Sequence, residues 1–160
     1  MSGEGMVDDS NIQNLGRGRY WQDLNVGDRF RTLRRTVTEA DLINFISTTG
    51  MLEAIFIDAT FDGAMAGRAI PGALTCTLIE GLQFQSLLQE TGLAMLEMTI
   101  KAIKPVMVGD TIFGVIEIKG VRPTSKGGRA VVTSEIAIFN TRDEQVMTYS
   151  AVRLLAGRPD

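Results

Sequence analysis

The stretch GALTCTLIEGLQFQSLLQE, residues 72–90, decides the fold because it is the longest helical candidate in the chain. Its leucines and isoleucine recur at helical spacing over a broad face, and Cys76 and Phe84 widen that apolar surface. Thr91 and Gly92 supply an end to the helix. A helix that is apolar on most sides is stable only when other elements surround it. We therefore expect a long central helix wrapped by the rest of the chain.

Four strand-like segments of about ten residues each follow this helix and are separated by turn sequences. They are Ala94–Lys104, Thr111–Val121, Arg129–Asn140 and Gln145–Leu155. Two of them alternate clearly, in the rows Ile112-Gly114-Ile116-Ile118 and Val146-Thr148-Ser150-Val152. Such alternation is typical of antiparallel strands with one face on a core. The sequence predicts an α+β protein in which a curled antiparallel sheet wraps around the long central helix.

The N-terminal part predicts a tail and then the start of one domain. Residues 1–18 are rich in Gly, Ser, Asp and Asn, which predicts a flexible tail, and we expect a single domain over residues 19–157. Threonine, valine and phenylalanine among arginines predict a first strand over Phe30 to Val37.

A short amphipathic helix is expected next. Thr38 supplies an N-cap hydroxyl, and acidic residues occupy the first turn, where they complement the helix dipole. Gly50 is well placed to end this helix. Residues 51–71 have no clean period, and we expect a loop there with one helical turn around Thr60 to Met65.

Composition excludes several classes of protein. The net charge is −3, from 16 basic and 19 acidic residues in no long block, which is not the footprint of a nucleic-acid or membrane partner. The lone cysteine, Cys76, and the absence of histidine exclude a disulfide and argue against a zinc site, and we expect no metal and no cofactor. The first residues lack the basic and apolar regions typical of a signal peptide, and no apolar run approaches about 18 residues, so we expect a cytoplasmic protein.

Five local patterns occur in a specific order along the chain. They are Val26-Gly27-Asp28, Thr38-x-x-Asp41, the segment from Gly50 to Asp58, Gly72-Ala73-Leu74-Thr75, and Pro105-Val106-Met107-Val108-Gly109-Asp110. Together they resemble the MaoC-type (R)-specific enoyl-CoA hydratases, a hotdog-fold family, over about Trp21 to Leu155. The resemblance implies a single hotdog domain that binds an acyl thioester.

The segment from Gly50 to Asp58 departs from the family's active-site motif, which is roughly Gly-Asp-x-Asn-Pro-x-His-x-Asp. Gly50 and Asp58 match this motif, but Met51 stands at the catalytic aspartate and Phe56 at the histidine. In the family the two residues hold a water and add it across a trans-2-enoyl thioester. Neither methionine nor phenylalanine transfers a proton, so we expect negligible hydration by the family's dyad.

The same resemblance implies that the backbone N–H of Gly72 forms an oxyanion hole for the thioester oxygen, aided by the helix dipole. Backbone donors do not depend on side chains, so thioester binding can survive the loss of the dyad. Pro71 replaces the family's usual histidine before this glycine. A plain helix entry is the alternative interpretation of the Pro71-Gly72 pair.

Other residues of the segment have two interpretations each. Glu53 is the candidate replacement base if burial raises its pKa, or else an exposed loop carboxylate. Asp58 matches the family's trailing aspartate and is either a substrate-binding residue of the pocket or, as the resemblance implies, a residue that stabilises the loop and the helix start rather than transferring a proton. Met51 and Phe56 either fill a vacated site or form an apolar wall of the substrate pocket.

Three functions remain open. The first is a hydratase or dehydratase with a remodelled site, acting on an enoyl or hydroxyacyl group carried by CoA or acyl carrier protein. The second is a non-catalytic subunit that partners a dyad-bearing MaoC homologue. The third is a thioesterase that uses Glu80 of the long helix, although a polar contact at a subunit interface also explains Glu80. We expect a homodimer or higher oligomer, because the isolated fold would leave the long helix partly uncovered.

Overall fold

The elements follow one another in nearly the predicted order. A computed structural model describes residues 15–63 and 67–159, and most of the predicted tail lies outside them. The strands and helices are β1 (Arg29–Arg31), β2 (Arg35–Thr36), α1 (Glu39–Thr49), α2 (Ala54–Ile57), α3 (Gly72–Gln83), β3 (Gly92–Ala102), β4 (Thr111–Pro123), β5 (Arg129–Asn140) and β6 (Gln145–Ala156). A short 3-10 helix, Trp21–Asp23, precedes β1, and a π-helical turn, Phe84–Leu88, continues α3.

The strands form one antiparallel sheet in the order β1-β4-β5-β6-β3, with β2 also paired to β4. The long helix α3 packs on this sheet through Ile79, which has no exposed surface. A Cβ on Gly114 of β4 would lie 2.7 Å from Cγ2 of Ile79. The glycine therefore allows the helix to approach the sheet closely. The predicted α+β architecture, with a long helix against an antiparallel sheet, is confirmed.

The predicted first strand is interrupted. The pairs Arg31↔Val115 and Arg35↔Ile112 leave four steps along the N-terminal segment opposite three steps along β4. One extra residue is thus accommodated between β1 and β2, as in a β-bulge. Thr32 spans the gap, because its N–H donates to the Gly114 carbonyl at 2.9 Å and its hydroxyl accepts from the Gly114 N–H at 2.9 Å.

Two helical boundaries also differ from the expectation. The helical turn in the loop is α2, Ala54–Ile57, and the described residues 60–63 of the predicted turn are not helical. The long helix is α-helical only to Gln83, and the following turn is π-helical, with the N–H of Gln89 donating to the Phe84 carbonyl at 3.1 Å. The predicted N-cap is confirmed, since the Thr38 hydroxyl accepts from the Asp41 N–H at 3.2 Å.

The buried face of β6 is formed by the residues that alternate with the row Val146-Thr148-Ser150-Val152. Val146 is buried, but Thr148, Ser150 and Val152 are only half-buried. The fully buried row is Met147, Tyr149, Ala151, Arg153 and Leu155. The reason is that Arg153 and Tyr149 have polar partners inside the protein, which offset the cost of burying them.

In the described ranges, no helix is both long enough and apolar enough to cross a bilayer.

Candidate functional site

The segment that corresponds to the family's active-site motif begins at the end of α1. Gly50 ends the helix in the left-handed conformation, with φ of +74°, which a residue without a Cβ adopts at no steric cost. Met51 follows with 42% of its surface exposed. Phe56 lies on α2 and packs, partly buried, against the core. Neither side chain offers a proton donor or acceptor at this position.

Glu53 is exposed and stands at the N-terminus of α2. Its carboxylate accepts from the N–H of Ala54, the first residue of the helix, at 3.3 Å. The burial that the replacement-base hypothesis requires is therefore not present in the isolated chain. The role of Glu53 as a base stays a prediction.

Asp58 ends α2 and organises the following turn. Its carboxylate accepts from the Thr60 hydroxyl at 2.7 Å and from the Thr60 N–H at 2.8 Å. The hydroxyl bond first, and then the backbone bond, lowers the pKa of Asp58 below its usual value. This geometry agrees with loop stabilisation rather than proton transfer.

The N-terminus of α3 presents backbone donors from which no described residue accepts a hydrogen bond. Pro71 is the N-cap and has no side-chain hydrogen bond, and the first N–H bonded within the helix is that of Thr75, which donates to the Pro71 carbonyl at 3.2 Å. Within the described residues, the N–H groups of Gly72, Ala73 and Leu74 have no acceptor. Such a terminus favours an anion or a polarised carbonyl oxygen.

The neighbouring chain holds this terminus in place. Ile70, two residues before Gly72, donates to the Val106 carbonyl at 2.9 Å, and the Val108 N–H donates to the Arg68 carbonyl at 2.8 Å. The segment Pro105–Asp110 thus holds the residues that precede α3 in place through these two backbone hydrogen bonds. In that turn, the Asp110 carboxylate accepts from the Met107 N–H at 2.9 Å.

A pocket of about 280 Å³ opens beside Gly72. Its walls are mainly apolar and come from the segment before α3, the end of β3 and the start of β6, including Ile70, Ala102, Ile103, Val106 and Met147. Thr75 and Lys104 also line it, and the Lys104 ammonium is paired with the Glu144 carboxylate at 2.7 Å. An apolar pocket beside unpaired N–H donors suits a carbonyl attached to an alkyl chain.

The predicted site residues divide into two groups. Pro71 and Gly72 lie together at the start of α3. Among the described residues that line the pocket at Gly72, none is Met51, Glu53, Phe56 or Asp58. Asp58 lines a different cavity, which it shares with Arg68.

Glu80 lies inside the protein rather than on a bare surface. Its Oε1 accepts three hydrogen bonds: from the Tyr149 hydroxyl at 2.5 Å, from Nε2 of Gln83 at 2.8 Å and from Nη2 of Arg153. Nη1 of Arg153 donates in turn to the Ser134 hydroxyl at 3.0 Å. These five residues form what we call the Glu80 cluster. The polar partners found for Glu80 are thus within the same chain.

Sequence reasoning singled out Glu80 but missed Tyr149 and Arg153. The available signal was their spacing, since residues four apart on a strand share one face of the sheet. Burial, and then the adjacent Glu80 carboxylate, raises the pKa of Tyr149 far above its usual value. The same causes raise the pKa of the Cys76 thiol to about 11, so this cysteine is a neutral core residue at pH 7.

Comparisons with known proteins identify the family and the fold. The family model described as the FAS1-like dehydratase domain region matches residues 25–149. A MaoC-like dehydratase from Rhodospirillum rubrum has a similar structure, with a TM-score of 0.79, 24% identity and coverage of 89% of this chain and 100% of the other. An R-hydratase from Pseudomonas aeruginosa has a TM-score of 0.70 and 22% identity, with coverage of 88% of this chain and 86% of the other. A chain of the HadBC complex of Mycobacterium tuberculosis, a 3R-hydroxyacyl-ACP dehydratase, has a TM-score of 0.67 and 18% identity, with coverage of 81% of this chain and 96% of the other.

No curated protein sequence matches the chain. The fold, with its long helix against an antiparallel sheet, is nevertheless that of the hotdog proteins. Since the dehydratase model covers most of the sequence, the chain belongs to the FAS1-like dehydratase-region family, whose members are MaoC-like hotdog proteins.

Proposed function

We propose that this protein binds an acyl thioester at the N-terminus of α3 and does not hydrate it through the family's dyad. The observation that carries this proposal is the set of N–H groups from Gly72 to Leu74, which have no acceptor in the described part of the chain, beside an apolar pocket. The thioester oxygen accepts from these donors, and the acyl group lies in the pocket. The acyl group is enoyl or hydroxyacyl, and the carrier is CoA or acyl carrier protein.

Thioester binding can persist without hydration, because the two depend on different parts of the chain. The carbonyl is held by backbone donors and the helix dipole, which are unaffected by the side chains at positions 51 and 56. The proton transfers of hydration need a base and an acid, and Met51 and Phe56 supply neither. The site therefore binds a thioester, while the positions that transfer protons in the family are degenerate or remodelled.

Replacing Gly72 by proline is expected to weaken binding of butyryl-CoA about tenfold, because it removes one backbone donor to the carbonyl. Proline is favoured at the first position of a helix, and the extended conformation of Pro71, with ψ of 138°, is compatible with a following proline. Isothermal titration calorimetry measures the affinity.

Two controls isolate the hydrogen bond. Gly72→Ala keeps the N–H, and the added Cβ would lie 3.5 Å from the Met147 methyl, so its affinity should equal that of the wild type. The thioether S-butyl-CoA has no carbonyl and should bind weakly and equally to all three proteins. Equal binding of butyryl-CoA and the thioether to the wild type would rule out the proposed role of the α3 terminus.

A second candidate function, a subunit that partners a dyad-bearing homologue, is favoured by the edge strand β3. This strand pairs only with β6 among the described residues, yet it exposes large apolar side chains. They are Leu93, Met95, Leu96 and Ile100, each more than 40% exposed. An exposed apolar edge of this length is typical of a surface that pairs with another chain. The similar dehydratase from Mycobacterium tuberculosis is itself a complex of two different chains.

Ile100→Lys is expected to abolish assembly with a second copy or with a MaoC homologue that carries both the aspartate and the histidine. A charge on the paired edge opposes strand addition. Co-expression followed by affinity purification and light scattering reports both kinds of assembly. Leu33→Lys is the matched control, because Leu33 is 68% exposed but lies outside β3. A wild-type protein that stays monomeric and retains no homologue would contradict this candidate, and so would rapid enoyl-CoA hydration by the pure protein.

A further inference from the structure

A pocket of about 200 Å³ lies on the face of the sheet that points away from α3. The Cβ position of Gly114 on β4 faces Ile79 of α3, so the neighbouring side chain of Phe113 points to the opposite face. The pocket combines basic, aromatic, aliphatic and acidic side chains, namely Arg29, Arg31, Phe113, Val115, Phe139 and Asp143. It shares no residue with the pocket at Gly72 or with the Glu80 cluster.

The floor of this pocket is a pair of stacked aromatic rings. Phe113 and Phe139 are cross-strand neighbours on β4 and β5, and their ring centres lie 5.8 Å apart with an angle of 23° between the planes. The guanidinium carbons of Arg31 and Arg34 lie 4.9 Å and 5.5 Å from the centre of the Phe113 ring. A guanidinium that stacks on a ring keeps the N–H donors at its edge available for an anion. The ring therefore orients two sets of donors at one place.

The charges of these two arginines are not neutralised by neighbouring carboxylates. Within the described residues, neither Arg31 nor Arg34 forms an ion pair, and both are exposed. The adjacent arginines differ, because Arg35 is paired with Asp41 at 2.6 Å and Arg29 lies opposite Glu117 in the sheet. Two stacked guanidinium groups without an acidic partner suit a phosphate, which accepts from both.

The other groups around the pocket restrict the ligand to a small one. The carboxylates of Asp143, which lines the pocket, and of Glu117, two residues beyond Val115 on the same face, would repel a long polyanion. The Asp143 carboxylate can instead accept from the hydroxyl groups of a ribose. Phe139 is only half-buried, so its ring offers a surface on which a nucleobase stacks.

We propose that this pocket binds a mononucleotide, with the phosphate at Arg31 and Arg34, the ribose hydroxyls at Asp143 and the base on Phe139. The nucleotide is a second ligand of the protein, separate from the acyl group. The two sites lie on opposite faces of the sheet, because the pocket at Gly72 includes residues of α3 and the mononucleotide pocket faces away from that helix.

The test compares AMP with two of its fragments, adenosine and ribose 5-phosphate, titrated into the full chain by isothermal titration calorimetry. AMP is expected to bind at least about tenfold more tightly than either fragment, because adenosine lacks the phosphate and ribose 5-phosphate lacks the stacking base. Arg31→Gln should lower the affinity for AMP about tenfold and leave that for adenosine unchanged. Phe139→Leu should lower the affinity for AMP and leave that for ribose 5-phosphate unchanged.

Two controls separate this site from a general attraction of anions and from the thioester site. Arg122→Gln removes the charge of an exposed arginine on β4 that does not line the pocket, so it should bind AMP as the wild type does. Saturating N-acetyl-S-butyrylcysteamine, a thioester without a nucleotide, should not change the affinity for AMP.

Several results would overturn the proposal. They are no binding of AMP, equal affinities for AMP and ribose 5-phosphate, equal losses in Arg31→Gln and Arg122→Gln, and competition between AMP and the thioester. Tighter binding of a short single-stranded RNA than of AMP would also overturn it, because it would indicate a surface for a polyanion. Since Arg31 is exposed, its variant keeps the test decisive even if Phe139→Leu does not fold.

Discussion

Met51→Asp combined with Phe56→His is expected to raise the rate of enoyl-CoA hydration at least about 100-fold over the wild-type protein, because the pair restores a base and an acid. The scaffold that presents these positions is in place. Gly50 ends α1 in the left-handed conformation, and α2 carries Phe56 against the core. The measurement is turnover of crotonyl-CoA, read by mass so that water gain and thioester hydrolysis are distinguished.

The single variants and Glu53 serve as controls for this result. Each single substitution should raise the hydration rate much less than the double substitution does, because the effects of two residues that act as a unit are not additive. Glu53→Gln in the wild-type background tests the remodelled-enzyme hypothesis. If wild-type turnover is fast and survives this substitution, Glu53 is not the base. If the double variant remains inactive while it still binds butyryl-CoA, positions 51 and 56 do not face the bound thioester.

Arg153→Leu is expected to lower the free energy of unfolding by about 3 kcal/mol, because it leaves the Glu80 carboxylate largely buried without a counter-charge. It also removes the donor to the Ser134 hydroxyl. Urea denaturation, followed by circular dichroism, measures the change. The ion pair Arg17–Glu90 provides the comparison, since both its side chains are more than 40% exposed.

Two variants test this explanation. Arg17→Leu should change stability by less than about 1 kcal/mol, since exposed ion pairs contribute little. Glu80→Leu combined with Arg153→Leu should recover part of the loss, because the unpaired charge is removed and Gln83 still donates to the Tyr149 hydroxyl at 2.8 Å. A double variant less stable than Arg153→Leu would show that the cost lies in packing instead of in the unpaired charge.

The architecture could be predicted from sequence where the apolar periodicity and the turn sequences indicate the same elements. The long helix has a broad apolar face, and the strands after it are separated by clear turns, so their bounds differ from expectation by a few residues only. Irregular features were not predictable in this way. The extra residue between β1 and β2 and the π-helical turn after Gln83 depend on pairing and packing partners that are distant in sequence.

The candidate site was predictable only in part. Pro71 and Gly72 are recognisable because a helix N-terminus is a local feature. Arg153 was not, because its burial depends on Glu80, a residue 73 positions away that sits on a different element. A charged residue in an alternating strand normally indicates the solvent face. The cluster reverses that rule on β6, where the charged Arg153 lies in the buried row.

The close approach between α3 and β4 has a consequence for the way this sequence can vary. Because a Cβ on Gly114 would collide with Ile79, the two positions behave as one unit, in which the volume of the first limits the volume of the second. A larger residue on the strand requires a smaller one on the helix, or a displacement of the whole helix. Such a displacement would also shift the first turn of α3. A substitution at a core position of the strand, far from any ligand, would therefore change the position of the backbone donors that are proposed to bind a carbonyl oxygen.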